Sequence, residues 1–344
     1  MPASKQKLIK VGVVMGGPSE EHNISLASGQ NVINNLDKSK YLPFPIKIAK
    51  SGQWFLNPAQ SNSADRQQKG RTLGGAGSKL VSQKDALKSC DVIFNALHGT
   101  FGEDGKLQAI LEHSGVKYTG SGIAASALAM DKYHSREIFK LAGFNVPKTL
   151  KIKKGENYTA QLSFFINKLS KLPVVVKPMS NGSSVGVQLI EDQARINKAI
   201  DEAFRLDSAV LVEEFIRGRE VTCAVLDGVG ALPVTEIVPL KNNKFFNYRA
   251  KYQKGQSNEI TPAPIDDSAR DKVQGIAVKA HEILGCRGYS RTDMILKNGN
   301  GTVYVLETNT LPGLSPASIL PKAAQVAGLT MSQLLDKIIG SSLI

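Results

Sequence analysis

Residues 174–190 read VVVKPMSNGSSVGVQLI, two apolar runs on either side of a loop that is rich in glycine and serine. The loop residues 182–186 match G-x-S-x-G, the pattern of a hydrolase nucleophile elbow. An elbow places its serine between a strand and a helix, whereas the residues that follow here, VGVQLI, have the pattern of a second strand. The context therefore favours a strand–loop–strand unit whose glycines, hydroxyl groups and backbone N–H groups cover the phosphates of a ligand.

The composition is that of a globular protein. The 344 residues are 42% hydrophobic and 21% charged, which leaves room for more than one core. A polar N-terminus and the lack of a long apolar run indicate neither export nor membrane insertion, so we expect a cytoplasmic protein without a membrane partner. Three widely spaced cysteines argue against a disulfide framework and against a C-x-x-C metal site.

The chain is basic, with a formal net charge of +13 from 43 Lys and Arg against 30 Asp and Glu. Such a charge allows a nucleic acid or an anionic small molecule as partner. The basic residues are scattered over every segment, without a dense run or an aromatic-interleaved patch. We therefore expect no nucleic-acid partner, and a basic nucleic-acid-binding module is kept as an alternative from a different class of protein.

The order of apolar patterns predicts a mixed fold. LIKVGVVMGG (8–17) and HNISLASGQNVINNL (22–36) predict a strand, a tight turn and a helix, which is how a parallel α/β unit begins. From residue 131 helices and strands no longer alternate strictly, which indicates an α+β arrangement. The runs AVLVEEFI (209–216), REVTCAVLDG (219–228) and ALPVTEIVP (231–239) predict an antiparallel sheet.

Two later strands carry side chains with oxygen donors. Asp293 lies in SRTDMIL, and Glu307 and Asn309 lie in VYVLETN, where their spacing puts both on one face of a strand. A carboxylate in such an apolar strand is costly to bury without a cation or a partner. Three hard oxygen donors suit Mg²⁺ that bridges phosphates, whereas the alternative is a polar strand end at the surface.

Lys177 and His98 both follow apolar strands at positions suited to ligand binding. Lys177 ends the strand PVVVK and places a positive charge beside the glycine-serine loop. On its own such a lysine could equally extend its head group from the apolar strand to solvent. His98 lies in the loop ALHGTFGEDG after another apolar strand, where open α/β sheets bind ligands.

Eight motifs in the same order resemble the D-alanine:D-alanine ligases of the ATP-grasp superfamily, over residues 11–335. They are MGGPSEEHNISL, NALHGTFGEDGKLQ, YTGSGIAASALAMDK, VVVKPMSNGSSVGV, LVEEFIRGREVT, AKY, SRTD and ETNTLPGLSPASILP. The resemblance implies an N-terminal parallel α/β substrate-binding domain over residues 1–130, followed by a two-part ATP-grasp fold. Its central subdomain would span residues 131–217 and its C-terminal catalytic subdomain residues 218–344.

The resemblance implies an enzyme that uses ATP to join two D-alanine molecules, through an acyl phosphate, into the dipeptide used for peptidoglycan. ATP would lie between the two grasp subdomains, against Lys132, Lys177, Ser184, Glu213, Glu214, Phe215, Ile216 and Glu220. Two Mg²⁺ or Mn²⁺ ions would be bound by Asp293, Glu307 and Asn309. The resemblance also implies a homodimer.

The remaining roles that the resemblance implies concern the two amino-acid substrates. The first substrate's ammonium would pair with Glu21, the tetrahedral intermediate would be stabilised by Arg291 and the Gly313 backbone N–H, and the second carboxylate would be received by Ser318 and Lys251. Tyr252, linked to Ser183 and Glu21, would close over a pocket that includes His98. Ser318 could instead only cap the helix that begins at ILPKAAQ.

Three positions depart from the family pattern, at Asn247, Arg249 and Ser315, where acidic residues and threonine are commoner. The pair KY at 251–252 favours D-alanine over D-lactate or D-serine as the second substrate. Two further alternatives are an ATP-grasp ligase for another amine or hydroxy acid, and a serine hydrolase that acts through Ser184.

Overall fold

The structure is a computed structural model, which describes residues 7–56, 79–169, 172–180, 185–239 and 257–343. Within these ranges the chain forms three β-sheets with helices packed against them. None of the helices in the described part of the chain is both long enough and apolar enough to cross a bilayer.

The N-terminal sheet is parallel at its centre. Its strands are β1 (Ile9–Gly16), β2 (Tyr41–Ile48), β3 (Trp54–Leu56), β4 (Lys79–Val81), β5 (Val92–Asn95) and β6 (Lys117–Tyr118). The spatial order is β4–β3–β2–β1–β5–β6, and β1 pairs in parallel with both β2 and β5. Every residue of β5 is buried, as expected for a strand that is covered on both faces.

The central sheet is antiparallel throughout. It contains β7 (Thr149–Lys153), β8 (Val174–Pro178), β9 (Gln188–Ile190) and β10 (Ala209–Glu214), in the order β7–β10–β8–β9. β8 and β9 pair directly, so the two apolar runs of residues 174–190 are strands. The prediction of a strand–loop–strand unit is therefore confirmed. Residues 181–184 of its loop lie outside the described ranges.

The C-terminal sheet is also antiparallel. Its strands are β11 (Gly218–Leu226), β12 (Gly230–Ala231), β13 (Thr235–Pro239), β14 (Ser257–Ile260), β15 (Tyr289–Lys297) and β16 (Val303–Asn309). The order is β14–β13–β11–β15–β16, with β12 paired to β11. Between β15 and β16 the register shifts: Asp293 faces Glu307 but Met294 faces Val305, so Leu306 is the extra residue of a β-bulge.

Local capping chemistry explains where several helices begin and end. The helices are α1 (His22–Asn35), α2 (Gln83–Lys88), α3 (Lys106–Ser114), α4 (Ile123–Met130), α5 (Lys132–Leu141), α6 (Thr159–Leu169), α7 (Ile196–Ala203), α8 (Asp267–Ile283), α9 (Ile319–Val326) and α10 (Met331–Leu343). The side chain of Asp131 accepts hydrogen bonds from two backbone N–H groups at the start of α5. Gly115, at φ 70°, ends α3 in the left-handed conformation that glycine adopts readily.

The cores join distant parts of the chain. Leu334, Leu335 and Ile338 of α10 share one core with Val13 of β1 and Phe94 of β5, so the last helices pack on the N-terminal sheet. Phe139 of α5 lies in the core of the C-terminal sheet with valines of β11 and β16. Residues on both sides of the proposed domain boundaries, near residues 130 and 217, therefore pack in the same cores.

The predicted fold class is confirmed, since a parallel α/β unit is followed by two antiparallel sheets with helices. One sheet assignment was wrong. The runs at 209–216, 219–228 and 231–239 do not form one sheet: β10 pairs with β7 and β8, whereas β11 and β13 belong to the C-terminal sheet. Apolar periodicity identifies each strand but not its partners.

Truncating α10 in its core should destabilise the protein. Ile338 is 0% exposed, so Ile338→Ala removes buried methyl groups and leaves a cavity, at about 2–5 kcal/mol of unfolding free energy. The matched control is Leu141→Ala at the end of α5, where Leu141 is 87% exposed and the change should stay within about 0.5 kcal/mol. Urea unfolding of both variants measures the difference. Equal effects of the two substitutions would contradict the packing of α10 on the N-terminal sheet.

Candidate active site

Four polar side chains meet where β15 and β16 run side by side. Arg291 is opposite Asn309, and Asp293 is opposite Glu307. The two residues on each strand are spaced by two, so all four side chains share one face of the sheet. The structure thus brings Asp293, Glu307 and Asn309 together, although they come from two strands.

Asp293 is held by several donors. Its carboxylate accepts hydrogen bonds from Arg291 Nε and Nη2, each at 2.8 Å, and from Thr222 Oγ1 at 2.6 Å. Asn309 Nδ2 donates to the same carboxylate at 3.2 Å. Because Asp293 is 4% exposed, its negative charge depends on these donors, above all on the bidentate guanidinium.

The donor set fits a hard divalent cation such as Mg²⁺ or Mn²⁺. Within the described ranges, no cluster of three or more His, Cys, Asp or Glu side chains could hold a metal ion. An ion between Asp293 and Glu307 would therefore also need the Asn309 side-chain oxygen and oxygens of water or phosphate, which is the usual way that Mg²⁺ is bound. Asn309 would have to turn its amide oxygen, instead of its nitrogen, towards Asp293.

Lys132 and Glu307 connect two cavities. Lys132 is the first residue of α5, and its Nζ lies 3.4 Å from Glu307 Oε2. Both residues line a cavity of about 400 Å³, the N-terminal cavity, and a second one of about 100 Å³, the inter-sheet cavity between the central and C-terminal sheets. A group bound in one cavity would therefore be next to a group bound in the other.

The inter-sheet cavity is lined by a buried ion pair. Lys177 of β8 is 8% exposed, and its Nζ lies 3.0 Å from Glu213 Oε2 on β10. Burial, together with the positive charge of Arg136, lowers the pKa of Lys177 to about 8, although Glu213 opposes the shift. Burial alone would raise the pKa of Glu213, but the charges of Arg136 and Lys177 outweigh it and lower that pKa.

The same cavity gathers the other described residues that the resemblance assigns to a nucleotide. Its lining includes Glu213, Glu214, Phe215, Ile216 and Glu220, as well as Asp293 and Glu307. Apolar side chains such as Val175 and Ile295 form the rest of its walls. The apolar walls suit a flat aromatic ring, and the two lysines with the carboxylates opposite them suit phosphates attached to that ring.

The N-terminal cavity is lined by segments from both ends of the chain. Glu21 precedes α1, His98 follows β5, and Arg291, Gly313 and Ser318 come from the C-terminal part. Glu21 is 8% exposed, and its Oε2 would lie 2.7 Å from a Cβ built on Gly99. Gly99 also has φ 70°, a backbone conformation that favours glycine beside this carboxylate.

The hydrogen bonds of His98 fit its neutral form. Its Nδ1 lies 3.2 Å from the Leu311 carbonyl, which can only accept, so Nδ1 carries the proton. Its Nε2 then accepts from the Ser28 hydroxyl at 2.8 Å. Burial lowers the pKa of His98, in agreement with this neutral form. His98 thereby ties the N-terminal domain to the C-terminal segment that contains Gly313.

Ser318 is at the N-cap position of α9, but its hydroxyl does not cap the helix. The hydroxyl accepts from the Ser315 backbone N–H at 3.1 Å and lies 2.9 Å from the Ser315 hydroxyl. A Cβ at position 313 would lie 2.6 Å from Ser318 Oγ. The lack of a side chain at Gly313 therefore makes room for the Ser318 hydroxyl at the cavity wall. Ser318 therefore occupies the predicted N-cap position, but its side chain does not cap the helix.

Glu103 is a cavity residue that the sequence did not reveal. It is half-buried because one side faces the N-terminal cavity, while protein surrounds the rest, and its Oε1 accepts from the Gly99 N–H at 2.8 Å. Burial, and then the charge of Glu21, raise the pKa of Glu103 to about 8. In the sequence nothing separates Glu103 from the adjacent carboxylate of Asp104, and only the fold shows that Glu103 is the one that lines the cavity.

Four of the predicted site residues lie outside the described ranges. They are Ser183, Ser184, Lys251 and Tyr252.

Comparison with known families identifies the family of the chain. The profile described as D-ala D-ala ligase N-terminus matches residues 10–121, and the profile described as D-ala D-ala ligase C-terminus matches residues 138–340. The chain belongs to the D-ala D-ala ligase family.

Curated relatives of the ligase family match almost the whole chain. A D-alanine--D-alanine ligase of Leptospira interrogans is 38% identical over 352 residues, with 96% of this chain and 97% of the relative covered. Another, from Desulfotalea psychrophila, is 39% identical over 342 residues and covers 98% and 96%.

Solved structures agree with this family assignment. The VanG D-Ala:D-Ser ligase of Enterococcus faecalis has a TM-score of 0.82 at 33% identity, covering 98% of this chain and 100% of that one. A D-alanine--D-alanine ligase of Bacillus anthracis complexed with ATP has a TM-score of 0.76 at 32% identity, covering 97% of both chains. The fold is therefore that of the ATP-grasp ligases.

Replacing Glu103 by glutamine should change how stability depends on pH. The folded protein holds a proton on Glu103 up to about pH 8, whereas an unfolded glutamate releases it near its ordinary pKa of 4.5. Wild-type stability therefore falls as pH rises through this window, and Glu103→Gln should remove that part of the decline. Urea midpoints at about pH 5, 7 and 9 measure it. A constant difference between variant and wild type at all three values would refute the protonated form.

Proposed function

We propose that the chain catalyses the ATP-dependent joining of two D-alanine molecules to D-alanyl-D-alanine, for peptidoglycan precursors. The observation that carries the proposal is the meeting of two cavities at Lys132 and Glu307. A phosphate in the inter-sheet cavity would then be adjacent to a carboxylate in the N-terminal cavity, as phosphoryl transfer between them requires.

On the nucleotide side, several residues would each have a role. Lys132 and Lys177 would contact the phosphates of ATP together with Ser184, the segment Glu213, Glu214, Phe215 and Ile216 would hold the adenine, and Glu220 the ribose. Asp293, Glu307 and Asn309 would hold two Mg²⁺ or Mn²⁺ ions. The ions would offset the negative charge of the phosphates during transfer.

The reaction would proceed in two displacements. A carboxylate oxygen of the first D-alanine forms a bond to the γ-phosphorus while the bond to ADP breaks, giving an acyl phosphate. The amine of the second D-alanine, after loss of a proton, bonds to the acyl carbon, and inorganic phosphate leaves. Glu21 would pair with the first ammonium, and Arg291 with the Gly313 N–H would stabilise the tetrahedral intermediate.

The second substrate would lie at the Ser318 end of the N-terminal cavity. Ser318 and Lys251 would receive its carboxylate, while Tyr252, with Ser183 and Glu21, would keep water from the acyl phosphate. His98 would contribute as a neutral donor and acceptor in the same cavity. The division into domains 1–130, 131–217 and 218–344, a homodimer and a cytoplasmic location belong to this proposal.

A second candidate differs only in the acceptor. The VanG D-Ala:D-Ser ligase has the same fold at a TM-score of 0.82, so D-serine is the acceptor that this comparison favours as an alternative. Both acceptors use the same amine chemistry and differ by one hydroxyl. Their discrimination depends on whether the cavity wall near Ser318 offers that hydroxyl a hydrogen-bond partner.

The reaction itself can be tested by ADP release. With ATP and Mg²⁺, D-alanine should stimulate ADP release and yield the dipeptide, whereas L-alanine, D-lactate and D-serine should each give less product. Coupled spectrophotometry with mass analysis of the products measures both quantities. Greater stimulation by D-serine together with D-alanine would transfer the assignment to the second candidate, and stimulation by neither would reject both.

Glu307→Gln tests the metal-binding role. Removing this charge should lower kcat on the order of a hundredfold or more and raise the Mg²⁺ concentration needed for half-maximal activity, because several kcal/mol of charge stabilisation are lost. Glu137→Gln on α5 is the matched control, since the Glu137 side chain is 47% exposed and should not alter either parameter. An unchanged Mg²⁺ requirement in Glu307→Gln would exclude Glu307 as a ligand.

A further inference from the structure

Arg136 is a fully buried arginine that lines neither cavity. It lies in the middle of α5 and is 2% exposed, the largest of the fully buried side chains in the described ranges. A buried guanidinium is rare unless it is paired, and here its three nitrogen groups have three different environments. Nε donates to the Leu306 carbonyl, Nη1 donates to the Glu213 carboxylate, and Nη2 has no partner among the described residues.

The first contact secures the wall that carries the metal ligands. Arg136 Nε lies 2.7 Å from the Leu306 carbonyl oxygen, and Leu306 is the extra residue of the bulge between β15 and β16. A bulge changes the direction of the neighbouring side chain, which here is Glu307. The guanidinium therefore supports the irregular backbone that points Glu307 towards Asp293.

The second contact secures the opposite wall. Glu213 is 3% exposed on β10, and its two carboxylate oxygens are shared, Oε1 with Arg136 and Oε2 with Lys177 at 3.0 Å. If Arg136 were absent, the buried Glu213 carboxylate would keep one cation, Lys177, instead of two. Glu213 could then shift towards Lys177, and the wall that these two residues form would lose its fixed position.

One buried side chain thus joins both walls of the inter-sheet cavity. We propose that Arg136 is a positioning residue that fixes the distance between the Glu213–Lys177 wall and the Glu307 wall, and thereby sets the affinity of the cavity for a nucleotide. The inference rests on the proposed function, because it takes the inter-sheet cavity to be the ATP site. Arg136 itself does not touch the nucleotide.

The shape of the guanidinium is what the bridge requires. Its planar fork presents donors in fixed directions, so one side chain can bind a carbonyl on β16 and a carboxylate on β10 at the same time. A lysine at this position would keep the positive charge beside Glu213 but would present it as a single point. A lysine at position 136 should therefore keep the ion pair with Glu213 but lose the hydrogen bond to the Leu306 carbonyl.

A purely structural role makes a different prediction. A buried ion pair is weak evidence for stability, and removal of one partner is destabilising wherever the pair lies. If Arg136 only held the fold, its replacement would lower the melting temperature and leave the nucleotide affinity of the folded fraction unchanged. The two roles are therefore separated by binding measurements made well below the melting temperature.

The test compares Arg136→Lys and Arg136→Met with the wild type. Binding of ADP in the presence of Mg²⁺ is measured by calorimetry, KM values for ATP and D-alanine by coupled assay, and melting by circular dichroism. Arg136→Met should weaken ADP binding about tenfold or more, equivalent to about 1.4 kcal/mol, and Arg136→Lys by an intermediate factor. KM for ATP should rise in parallel, whereas KM for D-alanine at saturating ATP should change less than about twofold.

Lys140→Met is the matched control on the same helix. The Lys140 side chain is 65% exposed and pairs only with Glu137 among the described residues, so its loss should leave ADP binding unchanged. Folded Arg136→Met that binds ADP as the wild type does would overturn the proposal. Should Arg136→Met fail to fold, wild-type ADP affinity in Arg136→Lys would overturn it instead, because the Leu306 contact would then contribute nothing.

Failure of the proposed function gives a different pattern. If wild-type protein binds ADP but D-alanine does not stimulate ADP release, the ligase assignment fails, while the effect of Arg136 on nucleotide affinity can still be observed. If wild-type protein binds no ADP at all, the inter-sheet cavity is not a nucleotide site and both proposals fall.

Discussion

The site depends on two carboxylates that face each other across a pair of strands. Asp293 and Glu307 are directly opposite in β15 and β16, where like charges repel. The structure compensates for this with cations from other elements: Arg291 on Asp293 and Lys132 on Glu307. Under the proposed function, a divalent cation between the two carboxylates would relieve the same repulsion.

Part of this site could be predicted from the sequence because it is local. The spacing of Glu307 and Asn309 in an apolar strand fixes their common face, and the bounds of β15 follow the run YSRTDMILK from 289 to 297. Glu103 and Arg136 could not be found in this way. The raised pKa of Glu103 and the contacts of Arg136 come from the residues that surround them in the fold. In the sequence, Glu103 is only one of two adjacent acidic residues, and Arg136 is only a basic residue in an amphipathic helix.

The same distinction explains the sheet assignment that was wrong. AVLVEEFI and REVTCAVLDG are separated by only two residues, so the simplest expectation is that they pair with each other. Instead β10 ends at Glu214 and β11 begins at Gly218 in a different sheet. Side chains on both sides of this connection then line the inter-sheet cavity, including Phe215 and Glu220. The change of sheet therefore creates the inter-sheet cavity at that point.

The two cavities are held by different cores, and this division has a mechanical consequence. The segment Leu311–Leu314, which contains Gly313, is bound to the N-terminal domain by Asn31, which donates to the Leu314 carbonyl at 2.7 Å, and by His98. Leu311 and Leu314 also lie in the core shared with β1 and α10. The walls of the N-terminal cavity are thus fixed to one another. The inter-sheet cavity instead lies between two sheets with separate cores that Arg136 joins across it, so under the proposed function a small relative movement of those sheets would change nucleotide contacts more than amino-acid contacts.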